Sequence, residues 1–234
     1  AGINAVGTME SYSGRGPSPW LNYIKPEIGA PSSSVSAVAG TGDGESAFGG
    51  TSGATPMVAG SAALIKEALK GTVNAKHPDT PYIIKSLLVN SADTDIRIEP
   101  LEFFNGELAP ITSIGGGEVR VNQAVKSPIT LWEEGLAGMR MATLSYGQQD
   151  VTGVTELTKV ISVNNWTNET LTYDLSTTYR YAGDDNGAVT LEVFPKELVV
   201  PPMGPGKAPE ANFLVKMIID GEKLDEWTMN SGSL

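Results

Sequence analysis

The chain has no cysteine among its 234 residues. Disulfides, thiol nucleophiles and cysteine metal sites are therefore excluded, while the compartment stays open, since secreted proteins without cysteine are common. Histidine is nearly absent too, with His77 alone. Positive charge is sparse: 16 Lys and Arg face 27 Asp and Glu, for a net charge of −11. No basic cluster appears, and a phosphate-binding surface needs one, so nucleic acid is excluded as a partner. No apolar run approaches the roughly 18 residues that span a membrane. No group of residues has metal-ligand spacing, and the scattered carboxylates could at most hold an incidental calcium, so no cofactor is expected. A signal-peptide pattern is missing as well, and the chain opens on Ala1 rather than methionine, which reads as a cut end.

What is present is globular and turn-rich. Hydrophobic residues make up 40% and charged residues 18%, with 27 Gly and 15 Pro. The two halves differ. Residues 1–130 are rich in Ala, Gly and Ser and carry 9 basic and 12 acidic residues, whereas residues 131–234 are rich in Thr and Val and carry 7 and 15. Stretches such as "TKVISVNNWT" (Thr158–Thr167) and "ETLTYDLSTTYRY" (Glu169–Tyr181) alternate with period two, and Asp185-Asn186-Gly187 is a turn signal. Two domains are expected, 1–130 and 131–234, meeting near Ser127-Pro128 after a short helical pattern over Asn122–Lys126. The second reads as an antiparallel sandwich.

The first part holds two helical patterns. From Met57 to Ile65 there is no charge, which predicts a helix buried nearly all round. Pro56 falls at or just beyond its first turn, and Lys66, Lys70 and Gly71 form a helix-end signature. The second pattern opens on Thr80-Pro81, a cap followed by proline, and runs with Ile83, Ile84, Leu87 and Leu88 on one stripe.

Ser52, in "GGTSGATPMVAGSAAL" (Gly49–Leu64), is the candidate catalytic residue. A helix start presents unpaired amides and the positive end of the dipole, which suits a developing oxyanion. The flanking small residues let a substrate backbone approach. The plain alternative is that Ser52 is a helix cap. "GTSGA" also misses the G-x-S-x-G elbow by one residue, but that arrangement needs a downstream histidine as base. With helix over residues 54–70, His77 would lie roughly 25 Å along the axis from the serine. A base must come within about 3 Å. The elbow reading fails.

A wider pattern gives Ser52 a context. "GTSGATPMVAGSAAL" resembles the serine motif of the subtilisin-like proteases, usually near G-T-S-M-A-x-P-H-V-A-G-x-A-A-L. "SYSGRGPS" (Ser11–Ser18) is similar to that family's F-S-S-R-G-P segment. "IKPEIGAPSSSVSA" (Ile24–Ala37) is similar to its K-P-D-I-x-A-P-G-x-x-I-x-S-A strand and turn. "HPDTPYIIKSLLVNSADTD" and "GGGEVRVNQAV" resemble the next helix and the G-x-G-x-V-N-x-x-x-A-V close of the catalytic domain. The matches keep the family's order over about 115 residues.

The resemblance implies an α/β fold, a partial subtilisin-like parallel-sheet domain, followed by an all-β fibronectin type III-like sandwich. It implies Ser52 as nucleophile, its own amide as half of the oxyanion hole, and a peptide or protein as substrate of a secreted (extracellular or cell-envelope) endopeptidase. Gly53 stands where methionine is usual and Met57 where histidine is usual; neither is the family's base. The order in this family is Asp, His, oxyanion-hole Asn, Ser. Only 51 residues precede Ser52, no D-T-G-like or H-G-T-like segment occurs, and Asp43 and Asp79 lack the context. The expectation is therefore a C-terminal portion of a protease, inactive alone, whose missing upstream half is its natural partner and whose first domain leaves apolar surface exposed. The rival is a non-catalytic binding or structural module derived from such a protease. Arg15 reads as a turn residue with local hydrogen bonds, and Trp132, Trp166 and Trp227 as sandwich core or seam. Asn165-Trp166-Thr167 and Asn168-Glu169-Thr170 each match the glycosylation pattern, with a strand end as the simpler role.

Overall fold

The computed structural model describes residues 1–20, 22–70, 72, 77–98, 106–135, 138–202 and 211–224. Gly71 and Trp227 fall outside them. The chain divides into two compact units, Ala1–Thr130 with Ala142–Ser145, and Leu131–Met141 with Tyr146–Leu234.

The first unit is mixed α/β. Its strands are β1 (Gly2–Ile3), β2 (Thr8–Met9), β3 (Ala30–Pro31), β4 (Ser33–Ala37), β5 (Glu45–Gly49) and β6 (Arg97–Ile98). Four of them form a sheet in the order β3-β1-β2-β6. The β1–β3 and β2–β6 pairs are parallel, as expected, but β1 and β2 are antiparallel, so the sheet is mixed. The reason is local. Gly7 at φ 78° closes a tight turn, and Asn4 Oδ1 accepts the Thr8 amide at 3.0 Å, which folds β2 back on β1. Ile3, Met9, Ile96, Ala109 and Ile114 form the core beneath this sheet. β4 and β5 make a separate antiparallel hairpin with Ser33 opposite Gly49.

Helix α1 spans Thr51–Ala68, α2 spans Thr80–Asn90, and the short turns α3 and α4 cover Ile111–Ile114 and Val121–Ala124. The expectation that α1 is buried nearly all round is not met. Its buried residues are Gly53, Ala54, Ser61 and Ile65. At about 100° per residue these fall within one stripe of roughly 120°. The remainder of the uncharged run is open, with Met57 37% and Leu64 59% exposed. A sequence without charge marks surface fit for burial; which part is covered depends on the polypeptide around it. Of the expected α2 stripe, Ile83, Leu87 and Leu88 are buried and Ile84 is half-buried, while Ser86 and Val89 join the buried side.

Close contact of chains fixes the end of this unit. Gly117, at φ 113°, would place a Cβ 2.0 Å from the Asp93 carbonyl oxygen, so no other residue fits. Asp93 and Glu118 exchange two backbone hydrogen bonds of 2.8 Å. Arg120 clamps the same point, donating to Glu118 and, at 3.0 Å, to Asp93.

The second unit holds all but the first two residues of β7 (Ile129–Glu134), and strands β8 (Arg140–Met141), β9 (Val154–Asn165), β10 (Leu171–Asp174), β11 (Val189–Phe194), β12 (Glu197–Val200) and β13 (Ala211–Asp220). Five form a sheet in the order β11-β13-β9-β7-β8, and β10 pairs with β12 in a second. All the registers given by these strands are antiparallel. β13 pairs with β9 over its full length, from Ala211 opposite Val163 to Asp220 opposite Val154. Alternation places Ile161, Val163, Val193, Val215 and Ile219 inside, and Leu198 and Val200 of β12 are buried as well. Trp132 is buried in β7, with the Arg140 guanidinium 4.9 Å over its ring.

Candidate active site

β5 runs directly into α1, and the junction sets the position of Ser52. Gly50 is the N-cap of α1, at φ 75°, a backbone conformation that favours glycine. The helical residues begin at Thr51, so Ser52 is the second residue of the first turn and not its cap. No side chain caps this helix. The capping alternative therefore does not describe Ser52. The Gly53 and Ala54 amides donate to the Gly50 carbonyl at 2.9 and 3.3 Å. The Ser52 amide has no backbone acceptor among the described residues, one of the free donors that a helix start carries.

The Ser52 side chain is exposed, and its hydroxyl has no hydrogen-bond partner among the described residues. Pro56 lies four residues on. It has no N–H, so the Ser52 carbonyl lacks its intrahelical donor as well. Thr55 Oγ1 donates to the Thr51 carbonyl at 2.9 Å and Ser61 Oγ to the Met57 carbonyl at 2.8 Å, turning two hydroxyls of the helix back onto its own frame.

Beneath this turn sits Ser32, fully buried. A Cβ on Gly53 would come 2.8 Å from the Ser32 carbonyl oxygen, and one on Gly49 would come 3.1 Å from it. Ser32 is in turn held by its amide, which donates to the Ile3 carbonyl at 2.8 Å. Its hydroxyl lies 3.1 Å from the same carbonyl and 2.7 Å from Glu10 Oε1. Sequence reasoning missed Ser32 and Glu10. The signal was available: Ser32 stands where the A-P-G pattern has glycine, just as Gly53 stands where methionine is usual. The two departures face each other.

His77 is not brought to Ser52. Its Nδ1 accepts the Asp79 amide at 3.2 Å, and its carbonyl accepts Thr80 Oγ1 at 2.6 Å. These bonds build the start of α2, whose N-cap is Asp79, with Thr80 as the first helical residue, one position later in the helix than expected. Asp43 is exposed in the loop between β4 and β5, and Asp79 belongs to the α2 start. Arg15 is exposed and makes no hydrogen bond among the described residues, in contrast to the local bonds expected of it. No group of three or more His, Asp or Glu able to hold a metal occurs among the described residues. Among them, too, no helix is long and apolar enough to cross a membrane.

Ser52 thus combines an exposed hydroxyl, small neighbours and an unpaired amide of its own at one helix start. Residues 1–107, which include Ser52, match the model of the Subtilase family. Subtilisin-like protease SBT3.11 of Arabidopsis thaliana is 37% identical over 126 residues, covering 50% of this chain and 16% of that protein. Subtilisin-like protease SBT3.16 of the same plant is 39% identical over 113 residues, or 46% of this chain and 14% of that protein. The Minor extracellular protease Vpr of Bacillus subtilis (strain 168) is 32% identical over 124 residues, or 51% and 14%. The chain thus spans only a small part of the length of these relatives. The Subtilase match covers the part of the chain that carries Ser52 and ends at residue 107.

Proposed function

We propose that this chain carries the nucleophile-bearing part of a secreted, subtilisin-like serine endopeptidase, with Ser52 as nucleophile. The observation that carries the reading is the unpartnered Ser52 hydroxyl in the first turn of α1, next to its own free amide, inside the segment that matches the Subtilase family. Ser52 Oγ attacks the scissile carbonyl as its proton passes to a base. The resulting oxyanion accepts the Ser52 N–H, and collapse expels the amine and leaves an acyl-enzyme for water to hydrolyse. The base and its orienting carboxylate come from polypeptide outside these 234 residues, because His77 is committed to the α2 start. The same polypeptide covers the open face of α1 and the exposed β4–β5 hairpin. A two-stranded hairpin open on both faces needs such support. The second unit, with its two antiparallel sheets, is a fibronectin type III-like sandwich. The relatives' printed names, one of them an extracellular protease, favour an extracellular location.

A fluorophosphonate probe tests this. The expected result is labelling of Ser52 in a polypeptide that joins this chain to the reading frame upstream of it, and loss of that labelling in Ser52→Ala. The 234-residue chain alone stays unlabelled. Labelling of the chain alone would sink the claim that its base lies elsewhere. An unlabelled longer polypeptide would leave the chain as a binding or structural module derived from a protease.

A further inference from the structure

The end of β9 and the turn that leads to β10 contain two consecutive glycosylation patterns, Asn165-Trp166-Thr167 and Asn168-Glu169-Thr170. Identical as motifs, they are opposite as sites. Asn165 is 1% exposed at the end of β9. Its Nδ2 donates to the Glu169 carbonyl at 2.7 Å and to the Val200 carbonyl at 2.9 Å. Its Oδ1 accepts the Thr167 amide at 2.9 Å and lies 2.7 Å from Thr167 Oγ1. Both amide hydrogens and the oxygen are thus spent on the turn and on β12 of the other sheet. A sugar on Nδ2 would replace one of those hydrogens and need room that a buried side chain does not have. Asn168, three residues on, sits at the exposed tip of the same turn. Neither its side chain nor the Thr170 hydroxyl has a hydrogen-bond partner among the described residues.

We propose that Asn168, and not Asn165, is the acceptor of an N-linked glycan, and that Asn165 is a structural residue that only mimics the motif. The donor is an oligosaccharide linked to a lipid pyrophosphate, met where the chain crosses a secretory compartment that holds one. The Asn168 amide nitrogen bonds to the anomeric carbon as the bond from that carbon to the pyrophosphate oxygen breaks. The lipid pyrophosphate leaves with the electron pair, and the amide gives up one proton. The glycan then projects from the tip, and the Asn165 bonds that join the two sheets are untouched. This assignment rests on the secreted location in the proposed reading but does not need Ser52 to be catalytic.

The test is to express the whole chain behind a secretion signal in a eukaryotic host and to map glycopeptides from both the medium and the membrane-lumen fraction. One occupied asparagine, Asn168, is expected. Its mobility shift disappears with peptide N-glycosidase, with Asn168→Gln and with Thr170→Ala. Unglycosylated protein from a bacterial host supplies a second measurement: Asn168→Gln leaves the melting midpoint unchanged, and Asn165→Gln lowers it. Glycan on Asn165, a chain with neither site occupied, or an Asn165→Gln variant as stable as the parent overturns the assignment.

Discussion

At Gly53 the absence of a side chain matters more than the neighbouring hydroxyl does. A Cβ there would sit 2.8 Å from the Ser32 carbonyl oxygen, which is backbone, and Ser32 is tied on the other side to Ile3 and Glu10. Neither party can yield cheaply. Gly53→Ala should therefore cost on the order of 1–3 kcal/mol, the usual range for overpacking, and Gly53→Met at least as much. Ser32→Gly removes the tether to Glu10 and lets the carbonyl shift, so the double variant Ser32→Gly with Gly53→Ala should recover part of the loss. Urea denaturation of the four proteins measures the coupling, and strict additivity would show that the two positions do not communicate. Ser52→Ala is the contrast. Its hydroxyl is exposed and unpartnered, so its removal should change stability by no more than about 0.5 kcal/mol.

Among the elements, α1 separates what the sequence makes legible from what it leaves open. The helix itself, the position of Ser52 near its start, and the buried stripe of α2 were all readable, because apolar spacing and small residues act locally. The covered side of α1 was not. Ile65 and Leu64 are adjacent, both aliphatic, in a run with no charge to mark a water-facing side; Ile65 is fully buried and Leu64 is 59% exposed. The Gly50 cap was hidden for another reason. Serine and threonine both compete for that place by propensity, and the positive φ that decides it is set by the chain path out of β5. Likewise, the antiparallel β1–β2 pair follows from the Asn4–Gly7 turn and could not be read from two-residue strands. Substitution distinguishes the faces. Ile65→Ala should cost about 2–5 kcal/mol through the cavity it leaves. Leu64→Lys should leave the urea midpoint nearly unchanged and reduce self-association in analytical ultracentrifugation, since it breaks an open apolar face. A large stability loss in Leu64→Lys would mean that this face is packed in solution.

Across the whole molecule, the two units should answer to opposite ends of the pH scale. In the first, the Asp95 amide donating to the Asp93 carboxylate, with Arg120 adding its charge, holds Asp93 below the usual carboxylate range. A depressed folded value means that the unfolded chain takes up the proton first as the solution is acidified. The contribution is complete at neutral pH and is lost as pH falls below the ordinary Asp range through the lower folded value. In the second unit, burial, with the Glu133 charge adding to it, pushes the Tyr146 phenol up to about 12. Its hydroxyl donates to the Val215 carbonyl at 2.7 Å, and the Lys159 ammonium lies 5.8 Å from its ring. Here the sign reverses. The unfolded tyrosine ionises near pH 10 and the folded one near 12, so this contribution is intact below pH 10 and drains away between the two values. Tyr146→Phe should lose about 1 kcal/mol at neutral pH with its hydrogen bond. It should also flatten the alkaline limb of stability against pH while leaving the acid limb alone; Asp93→Asn should do the converse. Urea midpoints for both variants from acid to pH 12 decide the matter: an alkaline limb that survives Tyr146→Phe unchanged would assign it to another group.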